Sequence, residues 1–343
     1  MNEQILNQTD PMTSARYSQE SLLEDSLVSA VGPFWQTRQE GYIQGQDQTN
    51  IFWVSMTNPE HTKAIVVVNG RIESAWKYQE LFFELYQQGY DVYSFDHRGQ
   101  GLSDRLHPDP HLGHVVNFED YVLDMARVVA HFDLSHYQSR HLFAHSMGGA
   151  IATRYLQTQT HAFDALVLSA PMFGISMSWF LKPIAYKLAK LCSHFSKTPN
   201  YAPGQTRYEK KPFQNNNLTQ SLQRYRLFRR LYEKMPELQL GGPSNHWVSE
   251  ALKATHLCIQ DAQKLTIPLL LMQAGDDTIV DNQAQNQFIR QFKPDAKVRL
   301  TTLAGSRHEI LFETDDIRDK ALDLMFEFLN QNANTCSSEK EES

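Results

Sequence analysis

A serine, an aspartate and a histidine occur in this chain in an order that suits nucleophilic catalysis. Ser146 lies in the stretch AHSMGG, which follows an apolar run and precedes a helix-forming segment. Asp277 lies in AGDDTIVDN and His308 in AGSRHEILF, each directly after another apolar run. A serine hydroxyl becomes nucleophilic when a histidine takes its proton, and a carboxylate holds that histidine in the required tautomer. The three residues therefore predict an esterase that works through an acyl-enzyme intermediate.

The residues around Ser146 fit the sharp strand-to-helix turn on which such a nucleophile is exposed. That turn needs small residues two positions before and two positions after the serine, here Ala144 and Gly148. Small residues also surround serines in ordinary glycine-rich loops, so Ser146 alone leaves both interpretations open. The acid and the histidine favour the nucleophile, because both follow apolar runs and come in the chain order Ser, Asp, His.

The sequence offers more than one candidate for the catalytic acid, and the donors of the oxyanion hole also have to be assigned. Asp277 is preferred because residues 274–280 fit the pattern G-x-x-D-x-x-V with alanine for the glycine, and Asp276 is the alternative. An oxyanion hole needs two backbone N–H groups. We expect one from Met147, which follows the nucleophile, and one from Arg71, in the segment NGRIES after an earlier apolar run.

Eight strand-like segments could position these residues at one edge of a sheet. The later ones are continuous apolar runs, as strands buried on both faces require, and helix-length amphipathic segments lie between them. This alternation predicts the α/β class, with a mostly parallel central sheet flanked by helices. The segments are GYIQG, IFWVSM, AIVVV (64–68), DVYSF (91–95), HLFAH, ALVLS (165–169), IPLLLMQ (267–273) and KVRLTTL (297–303).

The alternation stops between residues 172 and 249, which have the pattern of helices and loops. We therefore predict a core in two parts, 31–171 and 250–331, interrupted by a helical cap at 172–249. Such an insertion would lie over the carboxyl ends of the strands, where ligands bind in open α/β sheets. Residues 1–30 are polar and expected to be loosely ordered, and residues 332–343 are expected to form a disordered tail.

The predicted cap is basic in an acidic protein. Residues 172–240 contain 12 Lys/Arg and 3 Asp/Glu, whereas the chain of 343 residues has a net charge of −7. One interpretation is a helix packed on the core with a solvated basic side. The other is a cap whose apolar face lines an acyl-chain tunnel and whose basic residues meet anionic lipid. The apolar face comprises Met177, Phe180, Leu181, Ile184, Leu188 and Leu191, and the candidate substrate-binding residues are Arg224, Arg226, Arg229 and Arg230.

Composition and the remaining motifs exclude several other classes of function. The net charge argues against general nucleic-acid binding, and no apolar stretch is long enough to span a membrane. The polar N-terminus lacks a signal-peptide segment, and three widely spaced cysteines fit no disulfide or zinc pattern, which favours the cytoplasm. The glycine-rich stretch 95–104 lacks phosphate-binding motifs, and the histidine-rich stretch 107–114 lacks a metal-binding pattern. We expect no metal and no cofactor.

The three catalytic motifs together resemble the monoacylglycerol lipase and lysophospholipase branch of the α/β-hydrolase superfamily. The segment 201–252 narrows this resemblance, because its S-x-x-R-Y-R and GGP-x-x-HWV patterns are similar to those of the L2 group of bacterial lysophospholipases. The resemblance covers roughly residues 30–330 and implies the α/β-hydrolase fold with an inserted helical cap. The site residues it implies are Ser146, Asp277 and His308 as the triad, and Met147 and Arg71 at the oxyanion hole.

The resemblance also implies hydrolysis of the single acyl ester of a lysophospholipid, with some acyl transfer, at the cytoplasmic face of the inner membrane. The expected partners are that lipid and, peripherally, an anionic membrane surface. A monoacylglycerol lipase or a general carboxylesterase is the alternative enzyme, although the basic cap favours a phosphate-bearing substrate. A catalytically inactive hydrolase scaffold that only binds ligands is the alternative of a different class, and the intact Ser146, Asp277 and His308 argue against it.

Overall fold

Eight strands form one sheet at the centre of the molecule. The computed structural model describes residues 16–176 and 199–333. Each strand-like segment of the sequence is a strand in it. The bounds are β1 Gln39–Gln44, β2 Asn50–Met56, β3 Lys63–Val68, β4 Tyr90–Phe95, β5 Ser139–His145, β6 Ala165–Ser169, β7 Leu269–Ala274 and β8 Val298–Leu303.

The direction of the strands brings several loops to the same edge of this sheet. The strand order is β1-β2-β4-β3-β5-β6-β7-β8. The pairs β1–β2 and β2–β4 are antiparallel, whereas every pair from β4 across to β8 is parallel. The predicted α/β fold with a mostly parallel sheet is therefore confirmed. Because the carboxyl ends of parallel strands share one edge, the loops after β3, β5, β7 and β8 meet there.

Helices connect the parallel strands and pack against the sheet. Val122, Ile151, Ala251 and Leu322, from four different helices, belong to the same buried cluster as the strand residues. The helices are α1 Leu23–Ser26, α2 Gly32–Gln36, α3 Gln79–Gln87, α4 Glu119–Phe132, α5 Met147–Thr158, α6 Leu222–Lys234, α7 Asn245–Gln260, α8 Asn282–Ile289 and α9 Asp315–Asn332. Other helical turns are Glu20–Leu22, Leu27–Val31, Gln46–Gln48, Ala75–Tyr78, Leu134–His136, Phe213–Asn215, Pro236–Leu238, Ala262–Lys264 and Ile310–Phe312.

Residues 16–30 pack against the core, so the expectation that they are loosely ordered is wrong. Tyr17 is buried, and its hydroxyl donates a hydrogen bond to Asp323 of α9 over 2.8 Å. The backbone N–H of Ser18 donates to Glu84 of α3 over 2.9 Å. Contacts with α3 and α9 therefore hold this polar segment on the core, which its composition alone does not reveal.

The described part of the cap contains one longer helix, α6, which rests on the core through its aromatic face. Tyr225, Phe228 and Tyr232 are buried in one cluster. Ser221 begins the helix, because its side chain accepts a hydrogen bond from the backbone N–H of Arg224. The apolar face predicted between residues 177 and 191 lies outside the described residues.

The boundary predicted between residues 249 and 250 falls inside α7. Ser244 caps this helix by accepting from the N–H of Trp247 over 3.0 Å. Trp247, Ala251 and Cys258 belong to the main hydrophobic cluster, so α7 is part of the core rather than the cap. Within the two described ranges, no helix combines the length and the apolar character needed to cross a membrane.

Candidate active site

Ser146 occupies the turn between β5 and α5 in a strained backbone conformation. Its φ is 53° and its ψ is −120°, which L-residues rarely adopt. Backbone hydrogen bonds hold the turn. The carbonyl of Ser146 accepts from the N–H groups of Gly149 and Met172, each over 2.9 Å, and its N–H donates to the carbonyl of Ser169 over 3.0 Å. A turn of this kind lifts the serine hydroxyl out of the sheet edge towards the neighbouring loops.

The small residues on either side of Ser146 have unequal roles. A β-carbon at Gly148 would stand 2.4 Å from the carbonyl oxygens of Val68 and Asn69, which excludes any larger residue. Ala144, in contrast, is a regular residue of β5 that pairs with Val68 on one side and Leu168 on the other. Its β-carbon fits in the buried sheet, so glycine is not required two positions before the serine.

Three loops bring Ser146, His308 and Asp277 into one hydrogen-bonded chain. Nε2 of His308 lies 2.8 Å from the Ser146 hydroxyl, and Nδ1 of His308 lies 2.8 Å from Oδ2 of Asp277. All three side chains are buried. This arrangement can move a proton from the serine to the imidazole while a carboxylate stabilises the imidazolium.

Asp277 is fixed as a carboxylate by its surroundings. Its second oxygen, Oδ1, accepts from the N–H groups of Ile279 and Val280 over 2.8 and 3.1 Å. Burial acts to raise the pKa of Asp277, but the hydrogen bond from His308 and these two N–H groups outweigh it and lower that pKa. Asp276, the alternative from the sequence, is exposed and makes no side-chain contact with His308 in the described structure.

The two expected oxyanion donors lie beside the serine. Met147 is the first residue of α5, and Arg71 lies in the segment 69–74 that follows β3. Within the described part of the chain, neither backbone N–H donates a hydrogen bond to another residue. A β-carbon at Gly70 would stand 3.2 Å from Cβ of Ser146, so the 69–74 segment lies next to the nucleophile.

The glycine-rich stretch after β4 supports the 69–74 segment, a role that the sequence did not indicate. The side-chain amide of Gln100 donates to the carbonyls of Gly70 and Glu73 over 2.8 and 2.9 Å. Asp96 accepts from the hydroxyl of Ser74 and from the N–H of Ala75, each over 2.7 Å. Burial raises the pKa of Asp96 to about 6.

A buried ionic cluster links the 69–74 segment to the histidine loop. Nζ of Lys77 lies 2.7 Å from Oε1 of Glu73 and 2.6 Å from Oε1 of Glu309, the residue after His308. Tyr78 donates to the other oxygen of Glu73 over 2.6 Å. Burial acts to lower the pKa of Lys77, but the two carboxylates outweigh it and raise that pKa. Sequence reasoning missed this cluster because burial of charged side chains leaves no periodic signal.

Arg224, predicted to bind substrate, has a structural position instead, and that prediction is corrected here. It is almost completely buried, and its guanidinium lies 3.0 Å from Glu80 of α3 and 2.8 Å from Asp315 of α9. It also donates to the backbone carbonyl of Glu313 over 2.6 Å. Because two carboxylates and a carbonyl already use its donors, Arg224 is not available to a phosphate.

The other three candidate arginines lie at or near the surface of α6. Arg226 is exposed and has no carboxylate partner among the described residues. Arg229 lies over the rings of Tyr225 and Phe228, at 5.0 and 5.1 Å from their centroids. Arg230 is exposed and pairs with Glu24. Of the four arginines, Arg226 is therefore the one most available to bind an external ligand.

The histidine-rich stretch makes ordinary hydrogen bonds to the cap and to the start of α7. Nδ1 of His111 accepts from the N–H of Tyr208 over 3.1 Å, and Nδ1 of His114 lies 3.0 Å from the hydroxyl of Ser244. Over residues 16–176 and 199–333, no group of three or more potential metal ligands comes together.

Comparison of the sequence with known proteins identifies the family. Residues 59–315 match the family described as serine aminopeptidase, S33. The chain is 39% identical over 305 residues to lysophospholipase L2 of Escherichia coli strain K12, covering 87% of this chain and 89% of that protein. It is 35% identical over 302 residues to probable lysophospholipase L2 of Haemophilus influenzae, covering 87% and 94%.

A solved structure with the same fold is that of a soluble variant of monoglyceride lipase from Saccharomyces cerevisiae in complex with a substrate analog. It aligns with a TM-score of 0.66 at 19% identity, over 86% of this chain and 96% of that one. At this level of identity the likeness concerns the fold alone.

Proposed function

This chain belongs to the serine aminopeptidase S33 family of α/β hydrolases, and from its similarity to the lysophospholipases L2 within its relatives we propose that it is a lysophospholipase. The enzyme hydrolyses carboxylic esters, and its substrate carries one acyl chain on a glycerophosphate head group. The observation that carries the reaction is the hydrogen-bonded chain of Ser146, His308 and Asp277. The substrate class is supported by the relatives at 35–39% identity, which are named for that activity.

The proposed mechanism has two acyl-transfer steps. His308 takes the hydroxyl proton of Ser146 while its oxygen attacks the ester carbonyl, and the N–H groups of Met147 and Arg71 stabilise the developing oxyanion. His308 then gives the proton to the departing glycerol oxygen, which breaks the ester bond and leaves an acyl-serine. A water molecule, deprotonated by the same imidazole, releases the fatty acid. Asp277 orients His308 throughout and balances its charge.

The test compares lysophosphatidylethanolamine with monoolein and with an amino-acid anilide, using wild type and Ser146→Ala. We expect the lysophospholipid to have the highest kcat/KM and Ser146→Ala to lose about three orders of magnitude or more on it. Ser139→Ala is the matched control, because Ser139 is a buried serine at the opposite end of β5. A clear preference for monoolein or for the anilide would reject the lysophospholipid.

Labelling distinguishes the enzyme from a catalytically inactive scaffold. A fluorophosphonate probe reacts only with a serine activated by its own base, so wild type and Ser139→Ala should be labelled. Ser146→Ala should not. An unlabelled wild-type protein would favour the scaffold.

We also propose that the exposed basic residues of the cap attach the protein peripherally to an anionic membrane surface. Arg226 and Lys234 are exposed residues of α6, and Lys211 is exposed before it. Among the described residues none of the three faces a carboxylate within ion-pair distance. Each basic residue near such a surface contributes about 1 kcal/mol. The predicted location at the cytoplasmic face of an inner membrane rests on the same attachment.

Flotation with vesicles that contain phosphatidylglycerol tests this attachment. Binding of wild type should weaken as salt rises, and the triple change of Arg226, Lys211 and Lys234 to glutamate should remove it. The control changes three exposed basic residues elsewhere to glutamate, namely Lys293, Lys297 and Arg299. Vesicle binding that does not change with salt concentration, or an equal loss of binding in both triple variants, would reject the role of the cap.

A further inference from the structure

Arg71 carries a charge that no carboxylate neutralises among the described residues. The buried guanidinium groups of Arg98, Arg224 and Arg318 each pair with a carboxylate. Within residues 16–176 and 199–333 the guanidinium of Arg71 makes a single hydrogen bond, from Nη2 to the carbonyl of Gly241 over 2.7 Å. Its Nε is buried and has no acceptor in the part of the chain that the structure describes. The residue as a whole keeps partial exposure to solvent.

The described neighbours of this guanidinium are aromatic rings and backbone groups rather than carboxylates. Arg71 lies over the ring of Trp247, 5.1 Å from its centroid. Nη2 is packed against Gly113, where an added β-carbon would stand only 2.4 Å away. The indole N–H of Trp247 donates to the hydroxyl of Tyr121. Burial lowers the pKa of Arg71 to about 10, so the group stays protonated at neutral pH.

A buried cation that has no counterion among the described residues costs folding free energy. Its presence therefore calls for a functional explanation. The effective penalty for such an ion in a protein is several kcal/mol, and an aromatic face or one carbonyl compensates only part of it. The next residue, Ile72, has a φ of 67°, which is an outlier for a β-branched side chain. Tyr232 of α6 holds that peptide by donating to the Ile72 carbonyl over 2.7 Å. Strain held in this way is typical of functional segments.

From these contacts we infer that the side chain of Arg71 is the binding site for the substrate phosphate. The inference rests on the proposed lysophospholipase function and adds to it the residue that selects the head group. The backbone N–H of Arg71 faces the ester carbonyl in the proposed mechanism, so its side chain starts at the reaction centre. Its guanidinium carbon stands as many bonds from Cα as the phosphorus of a lysophospholipid stands from its ester oxygen.

The chemistry of the two groups also matches. A guanidinium offers a planar pair of N–H donors that bind two phosphate oxygens at once, and Nε is one member of such a pair. The phosphate supplies the negative charge that the described residues around Arg71 do not. A neutral monoacylglycerol has a hydroxyl in place of the phosphate and leaves the cation uncompensated. Arg71 therefore discriminates between the two lipids by charge.

The experiment measures KM and kcat for a lysophosphatidylethanolamine and a monoacylglycerol with the same acyl chain, in the same detergent. Arg71→Gln should raise KM for the lysophospholipid by about tenfold to a hundredfold more than for the glyceride, as expected for loss of a charge-assisted hydrogen bond. Arg71→Lys should lie between this variant and wild type. Arg105→Gln is the matched control, because Arg105 also joins a core loop to a cap carbonyl, that of Glu237, without contacting residues 69–74.

Equal effects of Arg71→Gln on both lipids, or a similar change of preference in Arg105→Gln, would overturn the inference in favour of a purely structural tether. A second readout separates it from the proposed function. Glycerol 3-phosphate should inhibit hydrolysis of p-nitrophenyl butyrate by wild type but not by Arg71→Gln, with inorganic phosphate as the comparison anion. If this inhibition depends on Arg71 while wild type prefers monoolein, the phosphate site stands and the lysophospholipase assignment fails. If neither anion inhibits wild type, the phosphate site fails.

Discussion

At the scale of single residues, the strain at Ser146 explains which neighbours the turn tolerates. A residue with φ of 53° can be held only if the chain on both sides is fixed by close contacts. After the serine, the backbone of α5 approaches the end of β3 so closely that Gly148 leaves no space for a β-carbon. Before the serine, Ala144 is an ordinary buried strand residue.

We predict opposite outcomes for exchanges at these two positions. Gly148→Ala should push α5 away from Val68 and Asn69 and misplace the nucleophile, which costs about a hundredfold in kcat. Ala144→Gly should keep kcat within a few-fold and lower the free energy of unfolding by roughly 0.5–1 kcal/mol, because glycine weakens a strand interior. Steady-state kinetics and urea unfolding of both variants test this. An active Gly148→Ala would contradict the close approach.

The adjacent carboxylates Asp276 and Asp277 give a second residue-scale prediction. Asp277→Asn should lower kcat about ten-thousandfold, because an amide would hold His308 in the wrong tautomer. Asp276→Asn changes the neighbouring exposed carboxylate in the same way and should leave kcat nearly unchanged. The measurement is kcat on a short p-nitrophenyl ester, which avoids effects on lipid binding. A comparable loss of kcat in both variants would mean that the substitutions disturb the loop, and not that Asp277 sets the tautomer of His308.

At the scale of elements, the cap helix α6 is joined to the core by ion pairs as well as by its aromatic face. Arg224 connects it to α3 through Glu80 and to α9 through Asp315. Arg318 of α9 reaches Glu84 of α3 in the same region. Breaking such a buried pair from one side leaves a carboxylate without its counterion, which is strongly destabilising.

Arg224→Met should therefore lower the free energy of unfolding by about 3–5 kcal/mol. It should not change the preference for lysophospholipid over monoacylglycerol, since Arg224 faces carboxylates and not the substrate. Arg226→Met removes an exposed arginine from the same helix and should stay within about 0.5 kcal/mol of wild type. Urea unfolding and the ratio of the two kcat/KM values measure both effects. A selective loss of lysophospholipid activity with full stability would restore Arg224 as a substrate contact.

Particular elements show what the sequence could predict. The strands were predictable because buried parallel strands are apolar along their whole length, and the carboxyl ends of β5, β7 and β8 then indicated Ser146, Asp277 and His308. Burial of Arg224 or Lys77 was not predictable, because a charged residue on a helix is normally solvated and its partners are distant in sequence. The packing of Tyr17 on the core was not predictable either, because its partner lies in α9, near the other end of the chain.

At the scale of the whole molecule, the interior contains several histidines in surroundings that disfavour a positive charge. Burial lowers the pKa to about 4 at four of them, His97, His114, His141 and His145. His141, in the middle of the sheet, has no partner for either ring nitrogen within the described residues. In the unfolded chain these groups bind protons near pH 6.5. The unfolded state therefore binds more protons than the folded state between about pH 6.5 and 4, so stability falls as pH decreases through that window.

We expect His141→Leu to stabilise the protein, and more so in acid. Near pH 8 the gain should be about 1 kcal/mol, since two unpaired buried nitrogens are replaced by an apolar side chain. At pH 5 the gain should be larger by about 2 kcal/mol, because the histidine no longer favours the unfolded state by binding a proton there. His256→Leu changes an exposed histidine of α7 and should show no such pH dependence. Unfolding free energies in urea at both pH values measure the difference, and equal gains at pH 5 and pH 8 would show that His141 is not held neutral by burial.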